Sequence, residues 1–204
     1  MVTLKNRWDA YSGNLIVAAE AVTIKHKDYF NMRDLYEVLH EFLVEEGWCT
    51  RRDEYFPERF YLQKEVQNIG NELWVWWRFE KFPMNVYNSY YKFVMDVDFH
   101  VILLKDVEIV RQGVKYKGHH GEPEIKIWGK IILDHEHRWD THPILKHFHE
   151  PFKKRIFKRD MEMHRRQLYR EVYRFQEAVK TYFKLRTYLP EPEGQQFWRN
   201  EEFE

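Results

Sequence analysis

The 204-residue chain carries 33 Lys+Arg against 33 Asp+Glu, with 44% hydrophobic and 18% aromatic residues and one cysteine. Its 8 Trp, 13 Tyr and 15 Phe at zero net charge exclude a disordered chain, which is poor in aromatics and rich in net charge. The lone Cys49 excludes a disulfide scaffold, so stability rests on a packed core of the size one domain supports, and a reducing compartment is expected.

The zero sum hides an uneven layout. Residues 1–140 hold 19 Lys+Arg and 23 Asp+Glu, residues 141–189 hold 13 and 5, and residues 190–204 hold 1 and 5. The predicted organisation is therefore an acidic body over 1–140, a basic helical segment over 141–189 packed on the body or protruding from it, and an acidic tail over 190–204. Near the N-terminus the apolar run Leu15 to Ala19 is too short for a leader peptide, and nowhere do 18 apolar residues run together. A soluble, cytoplasmic protein with no membrane partner is expected.

In chain order, strand-like runs around Leu15 to Ile24 come first. Next, MRDLYEVLHEFLVEEGW (32–48) places apolar residues at 32, 35, 38, 39, 42 and 43, a helical spacing. Asn31 is the expected N-cap, and Gly47 stands where a left-handed C-terminal residue belongs. From 72 to 139 the period becomes two and the residues aromatic or β-branched, which fits a pleated surface. Four strands are predicted, over 72–82, 90–104, 107–116 and 124–139. A tight connection at Lys105-Asp106 and a Gly-rich loop, KGHHGEP, separate the last three, and such short links imply antiparallel neighbours.

Beyond Trp139, Asp140 or Thr141 is expected to cap a helix containing Pro143, and Pro151 to restart or kink it. Helix is then predicted without interruption to about Tyr188, with a seam of Met161, Leu168, Val172, Phe175, Val179, Tyr182 and Leu189, and with Arg165 and Arg186 at seam positions. Such a helix would span roughly 55 Å, more than the body it lies on, so part of it is expected to project. The whole reads as an α+β fold: an antiparallel sheet of four to five strands, an N-terminal helix and a long basic C-terminal helix.

Four constellations bear on function. Lys153, Lys154, Arg155, Lys158, Arg159, Arg165, Arg166 and Arg170 interleave with Phe and Tyr, a pattern that suits a polyanion or an acidic protein surface; its ordinary counterpart is a solvated helix face. Among eleven histidines, His135, His137 and His142 are the metal candidates, close to Asp134 and Asp140, although no HExxH or CxxC spacing accompanies them. Asp96, Asp98 and His100 share one strand face, where pairing with Arg78, Arg111, Lys126 or Lys130 is the expected arrangement rather than acid–base catalysis. Trp74, Trp76, Trp77 and Trp128 are expected to pack in the core, with a ligand cavity under a long helix as the other arrangement open to them.

The segments NMRDLYEVLHEFLVEEGW, ELWVWWRFEK, DVDFHVILLKDVEIV, PFKKRIFKRDME and LYREVYRFQ, across roughly residues 30 to 185, resemble a family of archaeal proteins with no assigned activity. The resemblance implies a cytosolic archaeal setting and no site residues. P-loop, GxGxxG and nucleophile-elbow signatures are absent, so no enzyme activity and no cofactor is predicted. The predicted function is that of a structural or interaction protein that self-associates into a homo-oligomer, its basic helix meeting acidic surfaces and Phe197, Trp198 and Phe203 serving as a docking tail. A nucleic-acid or ribosome-associated binder using the same helix is the alternative, and a small-ligand or metal pocket on the Trp-lined sheet is the third reading.

Overall fold

The computed structural model describes residues 13–66, 70–83, 90–111 and 114–184. The fold is α+β, an antiparallel sheet with helices against one face. The strands are β1 (Leu15–Lys25), β2 (Asp28–Phe30), β3 (Glu58–Val66), β4 (Gly70–Lys81), β5 (Tyr91–Arg111) and β6 (Val114–Leu133). Their order is β1-β6-β5-β4-β3, with β2 pairing beside β1 on β6. Helix α1 spans Met32–Glu45. It starts where the Asn31 side chain accepts the Arg33 amide and ends before Gly47, which takes a positive φ, as the spacing predicts.

The central hairpin departs from the expected meander. Residues predicted as three strands form two long ones, β5 and β6, paired from Tyr91↔Leu133 to Arg111↔Val114. At the predicted connection the chain bulges instead of turning: Leu103 takes a positive φ, and the register slips between Ile102 and Lys105. Gly121 lies opposite, where a Cβ would come within 3.1 Å of the Ile102 carbonyl oxygen. The glycine of the predicted loop thus permits close approach of two strands and makes no turn. Edge strand β3 was not predicted, because ERFYLQKEV is charged and its residues from Tyr61 to Glu65 are exposed, a composition common where a sheet must end.

The predicted uninterrupted C-terminal helix is also corrected. A short α2 (Arg138–Thr141) and α3 (Leu145–Pro151) lead into one wide turn over 152–156, and only then does α4 run from Lys158 to Tyr182. Pro151 has no N–H for a regular ladder, and the Phe157 amide reaches back five residues to the Phe152 carbonyl. At 25 residues α4 spans about 37 Å, and it is buried along its length from His164 to Phe183, so the described part lies on the sheet. Leu168, Val172, Phe175 and Val179 form its fully buried seam, as predicted, whereas Arg165 is exposed. Arg186, Leu189 and the rest of the expected helix end fall outside the described residues. No helix among those described is long and apolar enough to cross a membrane.

Helices and sheet meet through alternation. Phe93, Met95, Val97, Phe99 and Val101 of β5, with Leu73, Val75, Trp77 and Phe79 of β4, face the helices and are almost wholly buried. Gly129 of β6 lies directly beneath α4, where a Cβ would stand 2.7 Å from Val172 Cγ2. Val172 is β-branched and fully buried, so it has no free rotation by which to yield. Gly129→Ala should therefore destabilise the fold by about 1–3 kcal/mol in chemical denaturation, and adding Val172→Ala should recover part of that loss. A neutral Gly129→Ala substitution would show that α4 is seated less closely than described.

Candidate functional site

Two helices form the outer layer, and they are antiparallel. Tyr182, at the end of α4, donates its hydroxyl to the Asn31 carbonyl at the start of α1 (2.6 Å), while Arg174 pairs with Glu46 at the end of α1 (2.8 Å). Between these points Phe42 packs on Phe175 with ring centroids 5.9 Å apart. Beneath them Lys81 Nζ reaches both Glu171 Oε2 (3.0 Å) and the Glu46 carbonyl (2.7 Å) in a buried bridge that ties β4, α1 and α4 together.

The faces left outward carry opposite charge. On α1, Asp34, Val38, Glu41 and Glu45 recur at spacings of four and three and are exposed, with Glu37 beside them and only Arg33 to offset four acids. On α4, Arg159, Met163, Arg166, Arg170 and Tyr173 recur at the same spacings and are also exposed. Arg165 is engaged with Glu162 (3.7 Å) and Arg174 with Glu46. Lys158, Arg159, Arg166 and Arg170 have no acidic partner among the described residues. The ring of Tyr173 in this stripe lies 4.2 Å from that of the neighbouring Tyr169, tilted by 33°.

Not every predicted cation belongs to that surface. Lys153 is turned inward: its Nζ donates to Asn14 Oδ1 (2.6 Å) and the Gly13 carbonyl (3.2 Å), because the wide turn before α4 points it at the start of β1. Arg155 is exposed in that turn, and the Lys154 side chain and the tail aromatics Phe197, Trp198 and Phe203 lie outside the described residues.

The four tryptophans do not share a cavity. Trp77 is fully buried beneath α1 against Tyr36 and Phe56, whereas Trp74, Trp76 and Trp128 occupy the opposite face, since alternate strand residues point to opposite sides. On that second face Trp74 stacks on His100 (3.6 Å) and Trp76 on Phe60 (4.4 Å). Arg78 binds Asp98 and approaches Asp96 at 3.7 Å, as expected for the acidic pair. Burial pushes the Asp98 carboxyl up despite the opposing Arg78 charge. The face is laced by further pairs, Lys92–Glu80, Lys126–Glu124 and His100–Glu72, so it has no surplus of either sign.

A polar corner assembles where β6 ends. Asp134 is fully buried with a positive φ, and its Oδ2 accepts the amides of Trp139 (2.9 Å) and Asp140 (3.2 Å), so this aspartate caps the short α2, inside which the predicted cap residues Asp140 and Thr141 themselves lie. Asp140 in turn faces His149 of α3, with Oδ1 2.9 Å from Nδ1, and accepts from Asn14 Nδ2 at Oδ2 (2.9 Å). His149 Nε2 lies 3.2 Å from the hydroxyl of Tyr90, whose phenol burial pushes well above its ordinary range. Burial would raise the Asp140 carboxyl, but hydrogen bonds from His149 and Asn14 outweigh it and hold the group below the usual value.

The three metal candidates read from the sequence do not come together here. His142 Nδ1 accepts the Ile144 and Leu145 amides (3.3 Å each) at the start of α3, and His135 leans on Phe82 at 5.5 Å. His137 alone approaches, 3.7 Å from Asp140 Oδ2. The residue that the sequence reading missed is His149, which a HxH spacing with His147 marks no more strongly than several other histidines.

No family model, curated protein or solved structure matches the chain, so no relative points to catalysis or to a ligand.

Three histidines are held below their ordinary pKa by burial: His26, His135 and His164, the last lodged under α4 against Tyr91 (4.5 Å) and Phe93 (5.8 Å). A neutral imidazole favoured by the fold contributes stability above the unfolded value of 6.5, lost as pH falls from there through the folded value. Denaturation midpoints should therefore drop between pH 7 and pH 5, and His164→Leu should narrow that difference; an unchanged difference would remove His164 as a contributor.

Proposed function

We propose that the protein is an interaction module that pairs with a second copy of itself through the outer faces of α1 and α4. The observation that carries this reading is the juxtaposition, on one helical layer, of an acidic stripe and an arginine stripe with members left unpaired. A two-fold axis parallel to the two helices and just outside that layer sets each acidic stripe against the partner's basic one, and does so twice, as an isologous contact requires. The stripes also hold Val38, Met163, Tyr169 and Tyr173, exposed apolar and aromatic residues of kinds that interfaces bury, with arginine the charged residue most enriched there.

A polyanion such as single-stranded RNA is the alternative occupant, favoured by the exposed Tyr169 and Tyr173 rings set among arginines. It is the weaker reading, because the acidic stripe of α1 lies one helix diameter away and repels phosphate.

Light scattering after size exclusion should show a dimer at low salt that weakens as salt rises. Arg166→Glu combined with Arg170→Glu should raise the dimer Kd at least about ten-fold, and Glu37→Arg with Glu41→Arg on the same chain should restore association. A monomer at every salt concentration that binds oligouridylate would transfer the stripe to the RNA reading, and a monomer that ignores RNA would end both.

A further inference from the structure

The polar corner at the end of β6 carries a second proposal, independent of self-association. Asp134 Oδ1 is a buried carboxylate oxygen with no hydrogen-bond partner, in a residue with no solvent exposure. Enclosing such an oxygen costs free energy unless a proton or a cation meets it. Asp134, Asp140 and His149 each bring one potential ligand atom within 4.8 Å of the others.

What distinguishes the cluster from a chance group of acids is how its remaining atoms are held. The second oxygen of Asp134 is fixed by the Trp139 and Asp140 amides, the second oxygen of Asp140 by Asn14, and the second nitrogen of His149 by Tyr90. Each residue thus keeps one donor atom free of these anchors: Asp134 Oδ1, Asp140 Oδ1 and His149 Nδ1. Anchors of this kind on the non-ligating atoms are what orients ligands in metal sites. The 2.9 Å between Asp140 Oδ1 and His149 Nδ1, a hydrogen bond without an ion, subtends about 90° at an ion about 2.1 Å from each, as adjacent octahedral ligands do, and a tetrahedral ion would widen it to about 3.4 Å.

We propose that Asp134, Asp140 and His149 bind one divalent transition-metal ion of the Zn²⁺ or Mn²⁺ class. Two carboxylates suit a hard or borderline cation, and the imidazole selects against Mg²⁺ and Ca²⁺, which take oxygen ligands. Binding puts the imidazole proton on Nε2, where it is donated to the Tyr90 oxygen, while Lys153 stays on the far side of Asn14, engaged with Oδ1 and the Gly13 carbonyl. The ion joins the end of β6 to α2 and α3, so it fastens the segment that leads into α4.

The test is calorimetric titration of full-length protein, after treatment with a chelator, using Zn²⁺, Mn²⁺, Mg²⁺ and Ca²⁺ separately. One site per chain for Zn²⁺ or Mn²⁺, with a rise in Tm on loading, is expected. Asp134→Asn retains an acceptor for the two α2 amides, and circular dichroism establishes that it folds. It and His149→Gln should each weaken binding at least about ten-fold, whereas His147→Ala, at an exposed position of α3, should leave it unchanged. The proposal is overturned by the absence of a site for either ion, by tighter binding of Mg²⁺ or Ca²⁺, or by full affinity in folded Asp134→Asn.

Discussion

The seating of α4 on Gly129 is the constraint from which the rest of the molecule follows. With no Cβ beneath it, Val172 drops onto the sheet and carries Leu168, Phe175 and Val179 into full burial. Each of these side chains contributes on the order of 1.5–3 kcal/mol through water exclusion, so the helix is held by several large terms that share one geometric condition. Once its inner face is committed, its outer face is determined as well, because a helix has one rotation about its axis and Arg159, Arg166 and Arg170 lie opposite the seam.

The buried Lys81–Glu171 pair acts on the neighbouring degree of freedom, the placement of α1. A charge pair enclosed this far contributes little net stability over an apolar pair of the same shape, but losing one partner is costly, so it discriminates between arrangements. Since Lys81 also holds the Glu46 carbonyl, it sets the end of α1 against α4 and the two outward stripes side by side. Their opposite charge then becomes a property of the surface as a whole, which neither helix has alone.

At the opposite end of α4 the design is polar. Asn14, Tyr90, Asp134, Asp140, His149 and Lys153 come from three stretches, at 14, at 90 and over 134–153, and meet where β1, β5 and β6 have their ends. The bonds that join them span as many as 139 positions, so no local pattern announces them. Helix α1, by contrast, was legible to its caps: Asn31 and Gly47 act within a few residues of themselves, and local chemistry suffices. Failures of local reading cluster where glycine or proline served a distant purpose. Gly121 permits a bulge instead of a turn, and Pro151 converts a predicted continuous helix into a wide turn that aims Lys153 inward.

By itself the amino-acid order determined the α+β class, the apolar face of the long central strand, the buried seam of α4 and the surplus of positive charge beyond residue 140. These depend on periodicity and composition, which act over one or two turns of chain. Tertiary structure alone decided that Trp128 shares a face with Trp74 and Trp76, that Lys153 leaves the basic surface, and that His149 joins Asp134 and Asp140. The physical reason is the same in each case: which side of a strand or helix faces inward is settled by what packs against it, and that partner lies elsewhere in the chain.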